Sequence, residues 1–254
     1  NIEFRLEENV PINPADAVFD YDIVSDELLT NPNTLELSVT VLSRETVDIY
    51  TNLLLNVGLR PIAFETASRS IARAVLPQGE HGPVMIVHFG ETKSIISIAH
   101  KSVVVFSTTV PLGSKMLTDS ISKSFSVSAQ SALELKVKRG MVKSKENQDM
   151  LFSVTNTLSA LKDEINKIYA FWHSHLKETT GSHVEIGPII FSGKDVSLLG
   201  FTDYVMHDLE KEIRIANVWV NALSFDQEIP TVPFDQSLNY SAAVGLALPH
   251  HIVL

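Results

Sequence analysis

The segment VMIVHFGETKSIISIAHKSVVVFSTTVPLG, residues Val84–Gly113, indicates the fold of this chain. It opens with a continuous apolar run over residues 84–87, which is typical of a strand covered on both faces. Polar turns at residues 90–93 and 100–102 separate this strand from two more, over residues 94–99 and 103–110. The third strand ends at the turn Pro111-Leu112-Gly113. A buried strand that ends in a glycine turn can hold phosphate oxygens on its backbone N–H groups. The first functional question is therefore whether this segment can still bind phosphate.

The composition excludes several classes of protein. The chain has 254 residues, of which 44% are hydrophobic, and a formal net charge of −10, which disfavours a nucleic-acid surface. It contains no cysteine, so disulfides, thiolate catalysis and zinc–thiolate sites are excluded and a reducing cytoplasm fits. The apolar runs are far shorter than the roughly 20 residues that span a bilayer, and no signal peptide is visible. The chain begins at Asn1 rather than Met, and we expect it to be a trimmed piece of a longer protein.

The first 58 residues are predicted to form a small α/β module. Asn1–Asn9 has the pattern of the end of an amphipathic helix. Alternating apolar residues at 18–24 and 35–41 predict two half-buried strands, joined by a loop at 25–33. Ser43 is expected to cap a helix that runs to Val57, with Tyr50, Leu53, Leu54 and Val57 on one face.

The remaining elements mix short strands and helices, with no repeat of fixed period, which indicates an α/β protein in two lobes. A segment with two prolines and two glycines, Pro77–Pro83, is predicted to be a hinge between the lobes. Before the three strands described above, the sequence predicts a strand at 61–64 and a helix at 67–76. After them it predicts helices capped by Ser114 and Ser128, an exposed charged loop at 143–149, and a long helix with Leu161, Ile165, Ile168, Trp172 and Leu176 on one face. The last predicted elements are a strand at 188–191, a helix at 198–209, a strand at 213–220, an acidic loop at 224–237 and a helix at 240–248.

Several short segments occur in the order found in one family. They are ENVPI at 8–12, VFDY at 18–21, ETVDIY at 45–50, GLRPIA at 58–63, VPLG at 110–113, IANVWV at 215–220 and YSAAVGLA at 240–247. On these segments the chain resembles the PilM proteins of type IV pilus assembly, which are relatives of the division protein FtsA. The resemblance covers nearly the whole chain and implies an actin-like α/β fold, of the ribonuclease H type in each lobe.

The same resemblance implies a division of the chain. Residues 1–58 would be a small inserted α/β subdomain, residues 59–80 the remnant of an incomplete first lobe, and residues 81–254 the second lobe. Within the second lobe, residues 141–186 would be a helical insertion. The helix at 240–248 is a candidate to pack back on the first lobe.

A nucleotide site is implied by the resemblance, but with several departures. The first phosphate loop would precede residue 1. In the second, the family pattern has Asp where this chain has His88, although Gly90, Thr92 and Ser94 still offer backbone and hydroxyl donors and Lys93 adds a positive charge. The adenosine turn keeps only Gly193. Glu134 occupies the family's acidic position, but Val137 stands where its lysine partner is expected. We therefore expect no cofactor in this chain, with ATP and Mg²⁺ binding by the full-length parent left open.

A partner site is implied in the small subdomain, where such proteins hold the cytoplasmic tail of the membrane protein PilN. Phe19 and Tyr21, together with Leu37 and Val39, are the candidate groove residues for an extended tail. A solvated acidic strand face at residues 19–22 is the alternative interpretation.

The resulting prediction is a non-enzymatic cytoplasmic scaffold, peripheral at the inner face of the membrane, with no nucleic acid and no direct membrane insertion. The alternative is an actin-like ATPase that polymerises or switches between lobe states. A weaker alternative is a relative in the FtsA or GspL lineage. Exposed strand edges are prone to pairing, so a dimer with a second copy of the chain is also expected.

Overall fold

The structure, a computed structural model, describes residues 10–24, 37–80, 82–101, 103–180, 184–206, 209, 211–224, 226 and 228–249. The helix predicted at 1–9 and the loop predicted at 25–33 lie outside these residues. The chain divides into two compact units, Asn1–Thr66 and Ala67–Leu254. The predicted assignment of residues 59–80 to a first lobe, and of a hinge to residues 77–83, stays a prediction.

The unit Asn1–Thr66 is built on an antiparallel hairpin of β1 (Ala17–Ile23) and β2 (Leu37–Ser43), followed by α1 (Arg44–Asn56). The hydroxyl of Ser43 accepts from the amide of Thr46 at 3.5 Å, which confirms the predicted cap. The Arg44 guanidinium donates to the carbonyl of Ala17 at 3.0 Å and so ties the start of α1 to the start of β1.

The apolar face of α1 is exposed, and the segment at 61–64 does not form the predicted strand. No residue of α1 is buried, and Tyr50, Leu53 and Val57 on its apolar face are 55%, 57% and 68% exposed. The strand predicted at 61–64 is wrong, because that segment is irregular and Ile62 is 92% exposed. A short apolar run forms a strand only where a neighbouring strand accepts its hydrogen bonds, and Pro61 has no N–H to offer.

The unit Ala67–Leu254 contains the strands β3 (Val84–Phe89), β4 (Ser94–His100), β5 (Val103–Val110), β6 (Ile189–Gly193) and β7 (Ile213–Ile215). They form one sheet with the order β5-β4-β3-β6-β7. β3 runs antiparallel to β4 and parallel to β6, and β6 runs parallel to β7. The three strands predicted from the opening segment are therefore confirmed.

Helices pack on both faces of this sheet, which explains why five of the six residues of β3 are apolar. The helices described in this unit are α2 (Ala67–Val75), α3 (Ser114–Phe125), α4 (Ala129–Arg139), α5 (Gln148–Thr180), α6 (Phe201–Met206), α7 (Phe234–Ser237) and α8 (Ser241–Ala247). On one face Ser192 of β6 contacts Ser241 of α8. On the other, the rings of Phe89 and Phe201 lie 5.9 Å apart. The five residues predicted to form the inner face of the long helix are all buried in α5.

The helix α8 packs closely on α2. Gly245 lies so near α2 that a Cβ there would come within 1.7 Å of the Ser70 carbonyl oxygen. The Arg73 guanidinium donates to the carbonyl of Gly245 at 2.8 Å. The side-chain amide of Asn221 donates to the carbonyls of Arg73 and Leu76 at 2.9 and 2.6 Å, which satisfies the end of α2.

Other element boundaries differ from the predictions. The strand predicted at 213–220 ends at Ile215, because the Asn217 side chain accepts from the amide of Trp219 at 3.1 Å and forms a turn. The helix predicted at 198–209 begins only at Phe201, and the loop predicted at 224–237 contains α7. The charged loop predicted at 143–149 is partly helical, and Asn147 within it is buried because its amide donates to the carbonyl of Val142 at 3.0 Å.

Candidate functional site

Three segments of the larger unit meet at the carboxyl ends of β3 and β6. These strands are parallel neighbours, paired from Met85↔Ile189 to Phe89↔Gly193. The segments are the β3–β4 turn at 90–93, the start of α3 at 113–115 and the loop at 193–195 after β6. Ligands of open α/β sheets bind in the crevice outside such strand ends, so this crevice is the candidate site.

The start of α3 is held against the β3–β4 turn by backbone contacts. The amides of Ser114 and Lys115 donate to the carbonyls of Gly90 and Glu91 at 2.9 and 2.8 Å. A Cβ at Gly113 would lie 2.5 Å from the Glu91 carbonyl oxygen, so this close approach requires glycine. Gly113 rather than the predicted Ser114 is the N-cap residue, and the two N–H groups that follow it are used within the protein.

The loop after β6 is held against the end of β3. The amide of Lys194 donates to the carbonyl of Phe89 at 2.8 Å. Gly193 has φ +96°, and a Cβ there would lie 2.4 Å from the same carbonyl oxygen. Both the backbone conformation and the space therefore require glycine at this position.

A buried ion pair closes the crevice beside these loops. The Lys136 ammonium on α4 is fully buried and pairs with the carboxylate of Asp195, whose side chain is 7% exposed. The hydroxyl of Ser114 also donates to this carboxylate. Lys136 further donates to the hydroxyls of Thr118 and Ser114, at 2.9 and 3.2 Å. A buried charge is stable only when it is paired and its hydrogen bonds are satisfied, and here both conditions are met.

His88 lies near the end of β3, between Ile95 of β4 and Ser192 of β6 in the register of the sheet. Burial lowers the pKa of this imidazole from 6.5 to about 4, because the charged form would lose its hydration. Its Nδ1 is buried and has no hydrogen-bond partner among the residues that the structure describes. At neutral pH this position therefore carries an uncharged imidazole where the family pattern has a carboxylate.

The predicted nucleotide residues lie in different environments. Gly90 and Gly193 line the crevice, and Thr92 and Lys93 are exposed on the turn. Ser94 is buried and its hydroxyl donates to the carbonyl of Leu112 at 2.6 Å. Glu134 is exposed on α4, where its carboxylate accepts from the side-chain amide of Gln130 at 2.9 Å. Their combined role in holding a nucleotide stays a prediction.

The sequence interpretation missed the buried network. It placed the lysine partner at Val137, which is 62% exposed, whereas Lys136 is fully buried. The helical period contained the signal, since Lys136 follows the buried Ala132 by one turn. No comparable signal pointed to Asp195, because its partner Lys136 is 59 residues away in the chain.

The predicted partner-binding residues share one face of the β1–β2 hairpin. Phe19 pairs with Val41, Tyr21 with Val39 and Ile23 with Leu37, and directly paired residues project to the same side. All four predicted residues are therefore on one apolar face. The opposite face carries Asp20 and Asp22.

The model of one family, described as type IV pilus assembly protein PilM, matches residues 1–251. The chain belongs to the PilM family of type IV pilus assembly proteins. Its structure is similar to that of PilM in a PilM–PilN type IV pilus biogenesis complex, with a TM-score of 0.69, 17% sequence identity and coverage of 97% of this chain and 70% of that one.

Two further solved structures share the fold. MreB5 of Spiroplasma citri bound to AMPPNP has a TM-score of 0.60 at 12% identity, over 81% of this chain and 64% of that one. The ethanolamine utilization protein EutJ from Carboxydothermus hydrogenoformans has a TM-score of 0.52 at 14% identity, over 77% of this chain and 59% of that one. These likenesses show an actin-like α/β fold, as predicted. No match to the chain was found among curated proteins.

Two further properties concern the residues that the structure describes. None of the helices among them is long and apolar enough to cross a membrane. Nor do these residues include a group of three or more histidine or acidic side chains placed to hold a metal ion.

Proposed function

We propose that this member of the PilM family is a cytoplasmic scaffold of the pilus machinery at the inner membrane. It binds the cytoplasmic tail of a PilN-like membrane protein on the apolar face of the β1–β2 hairpin. The family supports the assembly role, and the likeness to PilM in a complex with PilN supports the choice of partner. The exposed apolar hairpin face is the observation that carries the proposal.

This face offers apolar surface that the described residues leave open to solvent. Tyr21, Ile23 and Val39 are 47%, 51% and 38% exposed although all three are large and apolar. Exposed apolar residues grouped on one face commonly mark a site of protein–protein interaction. An extended tail that adds a strand to an edge of the hairpin forms main-chain hydrogen bonds, and its side chains on the apolar face pack against these residues.

The test is calorimetric titration of the protein with a synthetic peptide of the tail of its own PilN-like protein. We expect Tyr21→Ser to weaken binding by about 2 kcal/mol, or about 30-fold, because a buried tyrosine is a typical interface anchor. Tyr50→Ser on α1 is the matched control, since Tyr50 is 55% exposed and lies outside the hairpin face. Equal affinities of wild type and Tyr21→Ser, or equal losses in both variants, would reject the proposal.

The same proposal excludes ATP turnover as the function of this protein. Mg²⁺ prefers hard oxygen ligands, and the neutral imidazole of His88 does not replace a carboxylate. The Ser94 hydroxyl is already hydrogen-bonded to the carbonyl of Leu112, and the side chains of Lys136 and Ser114 are already hydrogen-bonded to the carboxylate of Asp195. Metal-dependent phosphate release by the full-length protein, at a rate above that of a Gly193→Val variant, would contradict this part of the proposal.

A nucleotide-dependent switch is the second candidate function. One observation favours it: the fold is shared with an MreB that was solved with AMPPNP. Titration of the full-length protein with Mg-ATP decides between the candidates. Saturable binding that changes the affinity for the tail peptide supports the switch.

A further inference from the structure

The buried network around Lys136 has a complete set of hydrogen bonds. The ammonium has three N–H groups, and it has three acceptors within 3.2 Å, on Asp195, Ser114 and Thr118. The Ser114 hydroxyl accepts from this ammonium and donates its own proton to Asp195. Each of these polar hydrogens therefore has an acceptor, and the positive charge of Lys136 is paired with the negative charge of Asp195.

The negative charge comes from a loop rather than from a helix or strand. Asp195 has φ +68°, which is unfavourable for most side chains, although Asp tolerates it better than others. Its carboxylate reaches the first residue of α3, where the helix dipole favours an anion. Lys136, Ser114 and Thr118, by contrast, lie on the packed helices α3 and α4.

We propose that Lys136, Ser114 and Thr118 form an anion site, and that the carboxylate of Asp195 is the resident anion that latches the loop at 193–195 to α3 and α4. The site takes a carboxylate, and an external carboxylate of small size replaces the resident one when Asp195 is shortened. The latch holds the candidate crevice in one form without a bound ligand. This inference does not depend on the proposed function, because tail binding is assigned to the other unit.

The test is carboxylate rescue of the Asp195→Gly variant. Glycine adopts positive φ without strain, so the substitution removes the carboxylate and leaves the backbone conformation accessible. We expect the melting temperature of the protein to fall by about 10 °C, because the Lys136 ammonium is left buried without a counter-charge. Formate should then restore at least half of this loss in a saturable way, whereas chloride at the same ionic strength should not.

Two control variants make the rescue specific. Asp195→Asn fills the same space without the charge, so formate should not raise its melting temperature. The double variant Lys136→Met/Asp195→Gly lacks the cation and should also not respond to formate. A loss below about 3 °C in Asp195→Gly, equal effects of formate and chloride, or an equal formate response in the double variant would overturn the proposal.

A second measurement applies if Asp195→Gly does not fold. In Asp195→Asn, amide hydrogen exchange should become faster in the loop at 193–200 and in the first turn of α3, relative to the rest of the sheet. Exchange in these segments that equals that of the wild type would overturn the latch.

Discussion

The imidazole of His88 should make the stability of this protein fall on mild acidification. In the folded protein burial lowers its pKa to about 4, whereas its ordinary value in an unfolded chain is 6.5. Its neighbours in the sheet register, Ile95 and Ser192, carry no charge that could stabilise the protonated ring. Protonation in the folded state would therefore place an unpaired charge in the sheet.

The sign follows from counting bound protons. Between pH 6.5 and pH 4 the unfolded chain binds a proton on His88 that the folded protein does not bind, so acid favours unfolding. The contribution of the neutral ring is complete above about pH 6.5 and is lost as the pH falls towards 4. A difference of about 2.5 pKa units corresponds to about 3 kcal/mol, which is large relative to the total stability of a domain.

The assay is urea unfolding of the wild type and of His88→Gln at a series of pH values between neutrality and pH 4.5. The variant cannot take up this proton, so its free energy of unfolding should fall less on acidification, by about 2 kcal/mol at the acid end. His175→Gln is the control, because His175 is exposed on α5. A difference between wild type and His88→Gln that stays constant with pH, or that His175→Gln reproduces, would refute the reasoning.

Three further substitutions have expected outcomes. Lys136→Met should lower the free energy of unfolding by about 3–5 kcal/mol in urea, because the Asp195 carboxylate loses its buried partner. Gly193→Ala should cost clearly more than Gly79→Ala, since both positions have positive φ but only the first places a Cβ against a carbonyl oxygen, at 2.4 Å; equal losses would contradict this. Gly245→Ala should lower the melting temperature by forcing α8 away from α2, and an unchanged melting temperature would show that the helices are not in close contact.

The parts of the fold that were predictable have a local pattern. The strands of the Val84–Gly113 segment were predicted because a sheet covered on both faces needs apolar residues at consecutive positions. The inner face of α5 was predicted because Leu161, Ile165, Ile168, Trp172 and Leu176 follow the helical period over many turns. In both cases the physical cause acts over neighbouring residues, so it is visible in the sequence.

The parts that were missed depend on distant partners. The strand predicted beyond Ile215 failed because one side chain, Asn217, forms a turn that apolar patterning does not reveal. The burial of Lys136 was missed because a lysine is normally exposed, and the carboxylate that permits its burial comes from elsewhere in the chain. Candidate site residues were therefore less predictable than the sheet that positions them.

The glycines of the crevice are required by the protein itself, whether or not a ligand binds. A Cβ at Gly90, Gly113 or Gly193 would lie 2.5, 2.5 or 2.4 Å from a carbonyl oxygen of the same unit. Glycines at these positions therefore cannot distinguish a nucleotide site from an empty scaffold, since the β3–β4 turn and the packing of α3 and of the β6 loop need them in both cases. The side chains can distinguish the two, and here they are a neutral histidine and a lysine already paired with a carboxylate. In the function proposed above, the crevice is therefore a packed part of the scaffold, and the tail binds on the β1–β2 hairpin.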